Sequence, residues 1–133
     1  MARILIAEDE DALRGFVARG LGRDGHEVFA VADGAEALDL LTREGGRFDL
    51  LLADIKMPVM DGIALALATA RDYPETIILL MTGFADQRER AHGLDALIHD
   101  VIAKPFTLAE IRAAVSAALR ADDRRQRTAS RSA

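Results

Sequence analysis

Residues 50–54 read Leu-Leu-Leu-Ala-Asp, an uninterrupted apolar run that ends on a carboxylate. A strand with one face in water alternates apolar and polar residues, whereas one covered on both faces is apolar throughout. Leu50 to Ala53 is therefore expected to be a strand buried beneath helices on both sides, with Asp54 at its carboxyl end. The flanking sequence repeats the arrangement. Arg3 to Ala7 is a short strand ended by Glu8 and Asp9, Glu27 to Val31 a second, and Thr76 to Met81 a fourth, again apolar. A fifth lies within Ala96 to Ala103, before Lys104-Pro105. Between the strands, Asp11 to Asp24 sets Leu13, Phe16, Val17 and Leu21 on one helical face. Asp33 and Glu36 suit a capping box for a helix through Leu38 and Leu41, and Thr107 and Glu110 suit another for a helix carrying Leu108, Ile111, Val115 and Leu119. Ile63 to Arg71 and Asp86 to Gly93 are weaker helices. Strands alternating with helices predict an α/β fold, a doubly wound five-stranded parallel sheet with five helices.

The chain has 133 residues, half of them apolar, enough for one packed core. From Asp122 to Ala133 the sequence is polar and aperiodic. That segment is expected to be a disordered tail, leaving 1–121 as the domain. No cysteine is present, which excludes disulfides, thiolate metal sites and cysteine nucleophiles. The apolar run at the start is too short for a secretory signal, and no stretch reaches the roughly 18 apolar residues that span a bilayer. A cytoplasmic protein without membrane insertion is expected, monomeric or weakly dimeric. The net charge of −5 argues against general nucleic-acid binding. Of 17 basic residues only Lys56 and Lys104 are lysine. In a chain that otherwise uses arginine, this raises the question of whether a compact ammonium is needed there.

Ligands of open α/β sheets bind outside the carboxyl ends of the strands. Strand one ends in Glu8-Asp9, strand three in Asp54, strand four in Thr82-Gly83 and strand five in Lys104. If the strand order is 2-1-3-4-5, these four tips are neighbours and form one pocket of three carboxylates, a hydroxyl and an ammonium. Such carboxylates repel unless a cation offsets them, and Mg²⁺ is the usual hard ion for carboxylates plus a phosphate. His26, His92 and His99 lack zinc-ligand spacing. Metal, ammonium and hydroxyl together suit a phosphoryl group, with Asp54 as the nucleophile that forms an acyl phosphate. Asp49 precedes its strand and belongs at the opposite edge of the sheet.

Ile4-Leu5-Ile6-Ala7-Glu8-Asp9, Leu51 through Asp54-Ile55-Lys56-Met57-Pro58 to Gly62, Met81-Thr82-Gly83 and Ala103-Lys104-Pro105-Phe106 resemble the CheY-like receiver domain of two-component response regulators, over about Met1 to Ala121. The resemblance implies that Asp54 takes a phosphoryl group from a phosphohistidine on a histidine kinase or histidine phosphotransferase. It implies Mg²⁺ held by Glu8, Asp9, Asp54 and the Lys56 carbonyl, with Thr82 and Lys104 on the phosphoryl group. No output domain follows, so a stand-alone response regulator acting by protein contact is expected. The opening Ala-Glu-Asp, the Met-Thr-Gly-Phe and the Val-Ile-Ala-Lys-Pro-Phe look closest to the CpdR type of alphaproteobacteria, which implies an AAA+ protease as downstream partner. One departure concerns the switch. Many receivers carry an aromatic ring three residues before the site lysine, where this chain has Val101, so Phe84 is expected to be the large apolar group that changes exposure.

Two rivals share the site. A metal-dependent aspartyl phosphohydrolase of the haloacid-dehalogenase type would place a second Asp two residues after the nucleophile, where Lys56 stands, and would need a cap domain. A pseudo-receiver scaffold that is never phosphorylated would have no need of the complete residue set. A nucleotide-binding domain is disfavoured because no glycine-rich phosphate motif follows strand one.

Overall fold

The apolar run at 50–54 forms the middle strand of a five-stranded parallel sheet. The computed structural model describes residues 1–83 and 85–132, with side chains described outside 85–88 and 125–132; Phe84 thus lies outside the described residues. The chain runs β1 (Arg3–Ala7), α1 (Asp11–Arg23), β2 (Glu27–Val31), α2 (Gly34–Arg43), β3 (Leu50–Asp54), α3 (Gly62–Asp72), β4 (Ile77–Thr82), α4 (Ala85–His92), β5 (Asp100–Ala103) and α5 (Leu108–Ser132). Strand order is β2-β1-β3-β4-β5, as the doubly wound reading requires.

Side chains alternate across a strand with a period of two, and the three inner strands use both faces. Leu5, Leu51, Ala53, Ile78 and Leu80 enter a core with Ala37 and Leu41 of α2, Leu65 and Ala66 of α3 and Ala91 of α4. Ile4, Ile6, Leu50, Leu52, Leu79 and Met81 enter the other, with Val17 and Leu21 of α1 and Ile111, Val115 and Ala118 of α5. This is why β3 lacks polar alternation.

Helix starts follow their capping chemistry. Asp33 accepts from the Glu36 amide at 2.8 Å, and Glu36 in turn accepts from Ala32 N at 3.0 Å. Thr107 and Glu110 form the complete reciprocal box, at 3.1 and 2.9 Å. β4 begins one residue later than expected: Thr76 is buried, its hydroxyl donating to the Phe48 carbonyl at 3.1 Å, and Thr82 closes the strand.

Residues 122–132 of the segment expected to be a tail lie within α5, which runs on to Ser132. Polar composition argues against burial in a core but not against helix. Arg, Gln and Ala propagate a helix already nucleated upstream, and α5 is nucleated by its box and its packed face.

Candidate functional site

Parallel pairing brings the strand tips together in a stagger. Ala7 pairs with Ala53, so Glu8 stands level with Asp54; Asp54 pairs with Met81, so Thr82 lies one residue beyond. Thr82 pairs with Ala103, which puts Lys104 next in line. The Lys104 amide donates to the Thr82 carbonyl at 2.7 Å and fixes the start of that loop.

Glu8 and Asp54 are 1% and 5% exposed, unusual burial for carboxylates unless they are paired. Their partner is Lys104. Its Nζ lies 2.8 Å from Glu8 Oε1 and 2.8 Å from Asp54 Oδ2. The second oxygen of Glu8 accepts from the Glu10 amide at 3.1 Å, and Asp54 Oδ1 faces the Lys56 amide at 3.4 Å. Asp9 is exposed at the mouth. Carboxylate oxygens of Glu8, Asp9 and Asp54 all lie within 4.8 Å of one another, the one such group of potential metal ligands among the described residues.

The electrostatics follow from burial and from the Lys104 contacts. Burial pushes the Glu8 carboxyl up to about 7, while hydrogen bonds from Lys104 and the Glu10 amide pull it back and the Asp54 charge raises it further. Burial alone would lower Lys104, but its bonds to Asp54 and Glu8 hold the ammonium above its ordinary range. Three carboxyl groups face one ammonium, an excess of hard oxygen donors. That residue set fits a hard divalent cation of the Mg²⁺ kind.

The backbone is shaped around Asp54. A Cβ on Gly62 would sit 2.3 Å from the Asp54 carbonyl oxygen, so only glycine lets α3 start so close to Asp54. Gly62 N donates to Ile55 O at 2.9 Å, and Gly34 N donates to Met60 O at 3.2 Å. Between them, Met60 N reaches back to Pro58 O at 2.7 Å, a three-residue turn centred on Val59 at φ 68°.

Glu8, Asp54 and Lys104 are in direct contact, and Asp9 completes the carboxylate group. Thr82 is buried at the adjoining tip, 3% exposed, and the Lys56 side chain is exposed on the loop that follows Asp54. Asp49 lies at the opposite end of β3, where its side chain accepts from Arg3 N at 2.7 Å. Val101 is partly buried against the α2–α3–α4 side of the core. Sequence reading missed two supports. Arg14 donates to the Glu8 carbonyl at 2.9 Å, and Arg90 of α4 donates to Asp61 at 3.0 Å. Neither bond has a signal in local sequence.

A family model described as the response regulator receiver domain matches residues 4–116. The chain is 36% identical over 118 residues to the transcriptional regulatory protein PrrA of Mycobacterium tuberculosis, covering 89% of this chain and 50% of that protein. It spans about half the length of the curated relatives it matches. Among solved structures, a CheY-like receiver domain protein from Methanospirillum hungatei superposes with a TM-score of 0.85 at 27% identity, covering 94% of this chain and 98% of that one. NtrX from Brucella abortus gives 0.86 at 25% identity, over 96% of this chain and 29% of its own. Among the described residues, no helix is long and apolar enough to cross a membrane.

Proposed function

The chain belongs to the response regulator receiver domain family of two-component systems, and from that premise we propose that it is a phosphoacceptor switch whose acceptor is Asp54. The observation that carries this reading is the Lys104 ammonium 2.8 Å from both Asp54 and Glu8, beside three clustered carboxylates. An Asp54 carboxylate oxygen forms the new O–P bond while the N–P bond of a phosphohistidine breaks; the imidazole nitrogen leaves with the bonding pair and is reprotonated by solvent. Glu8, Asp9, Asp54 and the Lys56 carbonyl would hold Mg²⁺, which when bound supplies charge neutralisation at the phosphoryl oxygens. Lys104 offsets phosphoryl charge as it now offsets Asp54, and the Thr82 hydroxyl donates a hydrogen bond to the transferred group.

The donor is a histidine kinase or a histidine phosphotransferase, met in the cytoplasm, and residues 1–121 are the functional unit. The output is a change of protein partner. The likeness to the CpdR type supports an AAA+ protease as that partner, whereas the names of the curated relatives favour control of transcription. Incubation with a small-molecule phosphodonor tests the acceptor reading. Labelling that needs Mg²⁺ and stops with a chelator is expected; metal-independent labelling, or steady turnover of a phosphate ester, would overturn it. Capture from lysate with and without an acyl-phosphate mimic then decides between protease and transcription machinery.

A further inference from the structure

Among the described residues, one ion pair joins α4 to the loop that follows Asp54, and none of the site chemistry requires it. Arg90 of α4 donates to Asp61 Oδ2 at 3.0 Å across 29 residues of sequence. Asp61 is also the N-cap of α3, its other oxygen accepting from the Ala64 amide at 2.8 Å. The next residue is Gly62, whose backbone lies against the Asp54 carbonyl. Arg90 therefore ties α4, the helix that follows Thr82, to the loop that follows Asp54.

α4 is eight residues long, and among its described side chains, those of 89–92, only Ala91 is buried, while Glu89, Arg90 and His92 are exposed. The Arg90 and Asp61 side chains are 56% and 33% exposed. A pair so open adds at most about 1 kcal/mol to stability, so its consequence is one of position. A bond of that size counts where segments open locally at low cost, and on the described half of α4 it stands beside one buried side chain, Ala91. Asp61 is held below the usual carboxylate range: burial opposes this, but the Ala64 amide and the Arg90 guanidinium outweigh it.

We propose that Arg90 is a positioning residue that couples the acceptor loop to α4 through Asp61, so that a change at Asp54 is felt by α4. This rests on the phosphoacceptor reading for the nature of that change, but the coupling itself is testable with Mg²⁺ alone. The variants are Arg90→Gln and Asp61→Asn, the second of which keeps the capping acceptor and loses only the charge.

The measurement is amide hydrogen exchange across α4 in the full chain, with and without Mg²⁺. In the metal-free protein, α4 amides should exchange about two- to five-fold faster in either variant, the factor corresponding to an exposed pair, and no faster in the double variant. Arg90→Lys should restore part of the protection. Mg²⁺ should alter α4 exchange in the wild type, and that response should be lost in both single variants while Mg²⁺ affinity is kept. Unchanged α4 exchange in Arg90→Gln, additive effects in the double variant, or an intact Mg²⁺ response would each overturn the coupling. Failure of the wild type to label at Asp54 would instead overturn the phosphoacceptor reading, and it would do so whatever α4 does.

Discussion

Burial at the tip of β1 makes Glu8 a reluctant anion, its carboxyl at about 7 against 4.5 in an open chain. The folded state thus holds a proton that the unfolded chain releases. The contribution of Glu8 to stability falls as pH rises from about 4.5 through about 7, opposite to the usual surface carboxylate. Lys104, raised by its two partners, contributes evenly across that window and loses its contribution only above the ordinary lysine range. Denaturant titrations of metal-free protein at pH 5 and pH 8 should show wild type losing stability relative to Glu8→Gln at the higher pH, with Mg²⁺ restoring it. Lys104→Arg replaces a point charge, which now reaches two oxygens, with a wide planar fork. Slower labelling and lost partner discrimination are expected, read by phosphodonor labelling beside a pull-down. Val59, 84% exposed at φ 68°, is a β-branched residue in a backbone region suited to glycine. Val59→Gly should raise stability by about 1 kcal/mol, the relieved strain exceeding the entropy cost of a glycine in the unfolded chain. Thermal melts with the site loaded and empty would check it.

Among the elements, α5 separates packing from propensity. Ile111, Val115 and Ala118 are buried, and beyond Asp122 the helix has no apolar stripe to bury. Removing residues 122–133 should change stability by no more than about 0.5 kcal/mol and leave phosphodonor labelling intact. Thr107→Ala, which loses the reciprocal box at the start of the same helix, should cost about 1 kcal/mol. Equal losses from the two changes in denaturant titration would show the extension to be packed. The same helix marks the limit of sequence reading. Apolar periodicity located α5 while it lasted, then vanished at Asp122 although the backbone stays helical. β3 was fully legible because both its faces are buried and its pattern has no interruption. Arg3, stacked between Phe29 and Phe48 at about 5 Å from each ring, left no local pattern at all.

For the whole molecule, the site was readable because a parallel sheet delivers every strand tip to one edge, so a residue type at each strand end could be placed before any distance was known. Glu8, Asp9, Asp54, Thr82 and Lys104 stand at those tips. What could not be read were contacts between distant segments, such as Arg90 with Asp61 and Arg14 with the Glu8 carbonyl, which depend on how helices lie on the sheet. The central claim is that these tips build one phosphoryl acceptor on Asp54. It is tested most directly by mixing the chain with a donor phosphorylated on histidine, in Mg²⁺, and mapping the phosphoryl group by mass spectrometry in wild type and Asp54→Asn. The account predicts one phosphoryl group on the peptide containing Asp54, absent from the variant and absent without Mg²⁺. A phosphoryl group retained by Asp54→Asn, or mapped to another residue of the wild type, would contradict it.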